Sequence, residues 1–418
     1  MGEMRKSGAV PVELRREPEG WRLYRGGAPY YVKGAVYWED PTGAIPLRGI
    51  LERGGNSVRA GGPHLERILD EAARLGMTVT VGLPMKMEYV HRFDYSDERA
   101  VREQFEAVKA VVLRYQEHPA LLMWGVGNEL PLFYTNKRVW DAVEQVAEMI
   151  HEVDGKHPAM TVIGDSPPFE EAAEEIRARC PAIDLLGINA YKDLPEVPER
   201  LRRGGWDRAY CVTEWGPSGN WQVPKTRWGA PIEETSTEKA EVYRQRYMQT
   251  MERDRELCIG SYVFFWQWKM EATHTWFGMF LETGERTETV NLMQSLWTGR
   301  EPTNRAPRIE AMTIGGRTAR EDVTLKPGER QEAVVVATDP DGDPLTYRWE
   351  ILPEVKPGLY AGMGEERSAP LPGLIRSAPG AKIAFTAPQE PGAYRLFVFI
   401  LDGQGNAATA NTPFLVEE

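Results

Sequence analysis

Leu121-Leu122-Met123-Trp124-Gly125-Val126-Gly127-Asn128-Glu129-Leu130 is an apolar run that ends on an amide and a carboxylate. Apolar residues on both faces suit a parallel strand covered from both sides, and Gly125 and Gly127 thin the chain where neighbours approach closely. Glu129 then stands at the carboxyl end of a buried strand. In α/β barrels that rim carries the active site, and each functional residue comes from a different strand end. A second carboxylate is therefore expected on another strand, and Tyr210 to Gly216 provides it: the apolar Tyr210-Cys211-Val212-Thr213 runs into Glu214.

Outward from these two stretches, strand-like and helix-like segments alternate, the pattern of a parallel sheet built from βαβ units. Strands are expected to begin at Tyr31, Asn56, Met77, Leu121, Ala159, Ile183, Ala209 and Ile259, and eight of them suggest closure into a barrel. Helical spacing puts Val101, Phe105, Val108, Val112 and Tyr115 on one face, and Val139, Val143, Val146 and Ile150 on another. Ala240, Tyr243, Tyr247 and Met251 repeat the period behind a capping box, Thr235 with Glu238. Shorter helices are expected over 64–75, 169–179 and 287–297. Residues 1–29 read as an N-terminal hairpin covering the barrel's floor, 30–298 as the barrel, and the Pro-rich 299–308 as a linker. Residues 309–418 change texture to short alternating segments separated by turns, which reads as a small all-β sandwich with Trp349 in its core. The fold class is thus an α/β (β/α)8 barrel followed by a β-sandwich. The long Gly/Pro-rich stretch 353–380 is expected to lie against the barrel or a neighbouring subunit.

The 418 residues suit a barrel plus a small domain, and 13 Trp with 16 Tyr supply many flat side chains. A net charge of −12 and a pI near 5.3 disfavour nucleic acid and anionic membrane, which need clustered Lys and Arg, so a neutral ligand is expected. Cys180, Cys211 and Cys258 lack metal-like spacing and read as buried thiols. No run approaches the roughly 20 apolar residues of a membrane helix. Met1-Gly2-Glu3-Met4-Arg5-Lys6 lacks the apolar stretch of a signal peptide, so the protein is either intracellular or a mature form. Ser7 lies one position beyond the hydroxyl that a myristoylation signal requires. Only six His occur and none form His-x-His, which argues against a metal hydrolase; no catalytic metal and no cofactor are expected.

Two carboxylates on one rim suit glycoside hydrolysis with retention, which needs them about 5 to 5.5 Å apart, one protonated to assist departure and one ionised to attack. Here the chain resembles the clan A glycoside hydrolases, the (β/α)8 group that includes family 2 β-glycosidases and family 5 glycanases, over roughly residues 21–298. His118-Pro119 and Asn128-Glu129 are similar to the fourth-strand segment bearing the acid/base. Thr213-Glu214-Trp215-Gly216 is similar to the seventh-strand nucleophile segment. Asn56-Ser57-Val58-Arg59 resembles the second-strand segment whose arginine supports the nucleophile. Ile188-Asn189-Ala190-Tyr191 resembles the sixth-strand segment with a nearby tyrosine, and Val263-Phe264-Phe265-Trp266 the eighth-strand tryptophan. No N-terminal sugar-binding sandwich of the family 2 kind is found, and the third-strand exit, Gly82 to Met87, matches no substrate class.

The resemblance implies a retaining glycoside hydrolase acting on a β-linked oligo- or polysaccharide, with Glu129 and Glu214 catalytic. Arg59, Asn128, Asn189, Tyr191, Trp38, Trp215 and Trp266 are expected to bind substrate. Simpler readings stand beside these: a structural ion pair for Arg59, a core hydroxyl for Tyr191, strand-end capping for Asn189. Trp221, Trp228, Trp268 and Trp276 also fall near strand-end loops, where a flat surface can stack on a sugar or fill the core, and 217–235 reads as a substrate wall. A transglycosylase with the same two glutamates, or a carbohydrate-binding protein on a hydrolase-like barrel, are the alternatives. Residues 309–418 resemble immunoglobulin-like modules of the cadherin and PKD kind appended to extracellular enzymes, which implies a secreted or periplasmic location. Asp339, Asp341 and Asp343 offer ligands for calcium, but acidic turn chemistry, which needs no ion, is the preferred reading.

Overall fold

The computed structural model describes residues 8–38, 45–166, 168–355 and 366–418. By compactness it divides into one unit of Met1–Trp215 with Arg246–Phe264 and a second of Gly216–Gln245 with Phe265–Glu418. Three antiparallel strands open the first unit, β1 (Val12–Glu17), β2 (Gly20–Arg25) and β3 (Ala28–Tyr30). Backbone bonds from Val12 to Lys156 and from Trp21 to Glu256 (2.8 and 2.7 Å) anchor this sheet to segments that lead into barrel strands, so it covers the barrel's amino-terminal end.

Eight parallel strands then close a barrel in sequence order. They are β4 (Val32–Val36), β5 (Ser57–Ala60), β6 (Thr78–Leu83), β7 (Leu121–Asn128), β8 (Ala159–Gly164), β9 (Leu185–Asn189), β10 (Tyr210–Trp215) and β11 (Cys258–Val263). Each begins within two residues of its expected start. Helices intervene as α1 (Arg48–Glu52), α2 (Leu65–Leu75), α3 (Glu88–His91), α4 (Glu98–Tyr115), α5 (Val139–Val153), α6 (Phe169–Arg179), α7 (Val197–Arg203) and α8 (Ser236–Tyr247), and α9 (Glu288–Thr298) follows β11. All four expected apolar positions of α5 are buried. At α8 the capping box forms in both directions: the Thr235 N–H donates to Glu238 Oε2 (2.7 Å) and the Glu238 N–H to Thr235 Oγ1 (3.1 Å). The barrel interior is partly polar. Tyr262, fully buried, shares its hydroxyl with Ser57 (2.9 Å) and Thr80 (2.5 Å), and burial pushes that hydroxyl well above the ordinary tyrosine value.

Of the two glycines read as close approaches on β7, only Gly127 is one. It has φ 78°, and a Cβ there would meet Leu130 at 2.5 Å, whereas a Cβ at Gly125 would find ordinary contact distances. The β7–β8 register slips between Gly125 and Asn128, so Gly127 sits in a bulge that re-aims the strand's exit.

In the second unit, sheets β12 (Arg308–Ile314), β14 (Arg330–Thr338), β16 (Lys382–Thr386) and β13 (Thr324–Leu325), β18 (Ala407–Val416), β17 (Gly392–Leu401), β15 (Thr346–Pro353) face each other as a sandwich. Ile314, Trp349, Phe385, Leu396 and Phe414 are among its buried core. Asp341 pairs with Arg305 (2.8 Å), while Asp339 and Asp343 converge with Asp402 to within 4.8 Å. Among the described residues no helix is long and apolar enough to cross a membrane. All three cysteines are buried and free. Much of 353–380 is described, where Arg367 joins Glu350 to Glu282, but 356–365 lie outside the described residues, as do Gly2 and Ser7.

Residues 299–308, expected to separate two domains, lie inside the second unit, because that unit also takes in 216–245 and 265–298. Buried charge gives the reason. Glu233, 6% exposed, accepts from Lys239 Nζ (2.6 Å), from the Thr273 and Thr275 hydroxyls and from Asn411 Nδ2 (2.7 Å), which ties the loop before α8 to β18. Burial alone would push its carboxyl up, but Lys239 and its hydroxyl partners hold it below the ordinary glutamate value. Arg395, 1% exposed, likewise joins Glu354 to the Pro231 carbonyl (2.8 Å each). Removing one partner of a buried pair strands the other charge. Lys239→Met should therefore lower unfolding stability by about 3 to 5 kcal/mol in a denaturant titration; an unchanged midpoint would show that Glu233 does not depend on Lys239.

Candidate active site

Asn128 closes β7 and Glu129 follows it, turned into the left-handed region at φ 50°, where a non-glycine residue is strained. A backbone bond from its N–H to the Val162 carbonyl of β8 (2.9 Å) holds it there. The β9–β10 register sets Asn189 beside Glu214, and the β8–β9 register sets it beside Gly164. A Cβ at Gly164 would meet the Glu129 carboxyl carbon at 3.5 Å, which places that carboxyl over the end of β8.

These placements close into one network. Arg59 Nη1 donates to Glu214 Oε1 (2.7 Å) and Nη2 to Asn128 Oδ1 (2.6 Å). Asn189 Nδ2 donates to Asn128 Oδ1 (3.1 Å) and to Glu129 Oε1 (2.8 Å), while its Oδ1 accepts from the Thr213 hydroxyl (2.8 Å). Tyr191 donates its hydroxyl to Glu214 Oε2 (3.2 Å). The two glutamates are thus joined through three polar side chains, and each oxygen of Glu214 is held by a different donor. Both donors to Asn128 reach the same atom, so that atom must be its carbonyl oxygen, and the amide nitrogen is left to point elsewhere. Arg59 and Glu214 expose only 11% and 16% of their side chains, so solvent and salt screen their attraction less than they would a surface pair.

Arg59, Asn128, Glu129, Asn189, Tyr191 and Glu214 are therefore brought together, and the tryptophans behave differently. Trp215 is fully buried, its ring 5.9 Å from Tyr247. In the second unit Trp266 is also fully buried, with Trp297 stacked on it at 5.4 Å and Phe280 against it at 5.7 Å. Both were expected to show a flat face to a ligand, and both fill core instead. Trp38, beyond β4, is 52% exposed and Trp221 47%.

Two positioning groups escaped the sequence reading. Asp165, buried just beyond β8, accepts from the Tyr191 N–H (3.0 Å), while its carbonyl accepts from Arg200 (2.7 Å). It stands one residue past a barrel strand, as Glu129 does, and the same strand-end rule would have found it. Glu88, at the start of α3, accepts from the Thr135 hydroxyl and from the N–H groups of Thr135 and Asn136 (2.8 and 2.9 Å), fastening the turn that follows Glu129. Burial pushes its carboxyl up, but these bonds outweigh burial and hold it below the ordinary glutamate value. Only the fold brings those segments together, so no local signal announced it.

Residues 67–200 match the family described as Glycosyl hydrolases family 2, TIM barrel domain. A β-glucuronidase of Paenibacillus borealis is 22% identical over 232 residues, 51% of this chain and 37% of that protein. Among solved structures, Bacteroides uniformis β-glucuronidase 2 covalently bound to cyclophellitol-6-carboxylate aziridine superposes with a TM-score of 0.54 at 13% identity, over 97% of this chain and 48% of that one. The β-D-glucuronidase of Dictyoglomus thermophilum gives 0.52 at 16% identity, over 70% and 54%. At such identities the superpositions speak for the fold, and this chain spans about half or less of the length of each of these proteins.

Asn189 is 1% exposed and all its side-chain polar atoms are engaged. Asn189→Leu should cost about 1 to 3 kcal/mol by leaving the fully buried Thr213 hydroxyl without its acceptor. Denaturation by urea measures this, and wild-type stability would mean that the network is not made. Over residues 67–200 the barrel is similar to the TIM barrel domain of the family 2 glycosyl hydrolases.

Proposed function

We propose that the protein is a retaining β-glycosidase in which Glu214 is the nucleophile and Glu129 the acid/base. The observation that carries this reading is the continuous network from Glu214 through Arg59, Asn128 and Asn189 to Glu129 on one barrel rim. In the first step a Glu214 oxygen attacks the anomeric carbon as the glycosidic bond breaks, and Glu129 gives its proton to the departing oxygen. In the second, Glu129 takes a proton from water, which attacks the same carbon and releases Glu214. Arg59 and Tyr191 hold the attacking carboxylate in orientation. Asn128, its carbonyl committed to Arg59 and Asn189, turns its amide to the sugar 2-hydroxyl, a bond that strengthens in the transition state.

The named relatives support β-D-glucuronides as the first substrates to try. The 309–418 sandwich we read as a packing module of immunoglobulin-like type. A secreted or periplasmic location remains part of this proposal, to be tested by fractionating the source cells.

Two variants separate the roles. Glu214→Ala should abolish turnover, and azide should restore it by attacking an activated donor from the vacated face, giving a glycosyl azide of inverted configuration. Glu129→Ala should slow substrates with poor leaving groups most, by about 10² to 10⁴-fold, because a good leaving group needs little protonation. Azide then intercepts the glycosyl-enzyme and yields the retained product. Wild-type rates in both variants would refute the assignment, and binding of oligosaccharides without cleavage by the parent would make this a carbohydrate-binding protein.

A further inference from the structure

We infer that Tyr89 and Phe133 form a platform for a ring in the leaving-group part of the glycoside, an inference that rests on the retaining β-glycosidase reading. Glu129 must deliver its proton to the departing oxygen, so the leaving group has to lie against the turn that carries Glu129. That turn continues through a bond from the Leu132 N–H to the Glu129 carbonyl (3.0 Å) and reaches Phe133 four residues on. Phe133 is 64% exposed, the highest exposure among the large apolar side chains described. Its partner is Tyr89 of α3, 50% exposed, from the loop after the neighbouring strand β6, with ring centroids 5.2 Å apart and planes at 59°. Two aromatic rings from adjacent strand-end loops thus meet in solvent on the rim that carries Glu129.

Single exposed apolar residues need no explanation. Here the backbone asks for one. Phe133 has φ 56°, a conformation that disfavours a bulky side chain and that glycine adopts freely. Burial recovers little of that cost, because most of the ring faces water and Tyr89, its ring partner, is itself half exposed. What holds the strained turn is Glu88, which receives the Thr135 and Asn136 donors just beyond Phe133, aided by Asn136 Nδ2 on the Ser96 hydroxyl (2.8 Å). A strained, exposed aromatic kept in place by three charge-assisted bonds is the arrangement expected of a binding surface. The ligand chemistry it suits is a ring with an apolar face, either an aryl group or the C–H face of a second pyranose.

The experiment compares the parent with Phe133→Gly and Tyr89→Ala on three donors of one glycone, beginning with glucuronate: the β-glycosyl fluoride, the 4-nitrophenyl β-glycoside and a β-linked disaccharide. Fluoride has no ring to stack, so its kcat/KM should stay at the parent value. At least one ring-bearing donor should lose about tenfold, and the arm that loses tells an aryl from a sugar occupant. Phe133→Gly should unfold at the same or a higher denaturant concentration than the parent, since glycine relieves the backbone. Equal losses on all three donors, no loss on any, or a clear drop in stability each overturn the inference. If the Glu129 and Glu214 variants behave as expected while these do not discriminate among donors, the platform alone fails; if the parent cleaves none of the donors, the catalytic reading fails and takes the platform with it.

Discussion

Arg59 and Glu214 meet at 2.7 Å where neither is well exposed, and the rim is arranged around that pairing. A guanidinium held away from water must spread its donors over fixed acceptors, and here they reach Glu214 on one side and Asn128 on the other. Asn128 is thereby fixed as an acceptor, which turns Asn189 toward it as a donor, and the second hydrogen of the same amide nitrogen reaches Glu129. The orientation of the second carboxylate thus follows from the charge beside the first. Sites held in this way lose little to reorganisation when charge moves during reaction.

Strain concentrates on the same rim. Gly127, Glu129 and Phe133 all have positive φ within seven residues of chain, a conformation open to the glycine and strained for the other two. The β7 bulge and the turn after it depart from what β-strand and loop residues prefer, while Glu88 and the Val162 carbonyl supply the bonds that hold the departure. Backbone forced into sparsely populated regions persists where surrounding contacts over-determine it, and such places gather at functional sites.

Much of this was legible in the chain because parallel barrel strands are buried on both faces and write themselves as apolar runs ending in polar residues. That rule located all eight strands and singled out Glu129 and Glu214, and the capping box at Thr235 marked its helix to the residue. What stayed hidden depends on contacts across the fold. In β12 a register shift between Ile309 and Ala311 breaks the alternation, and the two-residue β13 carries too little pattern to read. Trp215 and Trp266 looked like ligand surfaces because sequence position shows proximity to a strand end without showing which way a ring turns. The division of the chain was equally illegible, since it follows from Glu233 and Arg395 finding partners far along the sequence.

Two glutamates linked through Arg59, Asn128 and Asn189 are proposed to act by double displacement. The configuration of the first product formed from a 4-nitrophenyl β-glycoside, followed by proton NMR before mutarotation, tests it most directly. The β-anomer should appear first, and the α-anomer should grow in only as the sugar equilibrates. Initial appearance of the α-anomer would mean a single displacement by water and would contradict it.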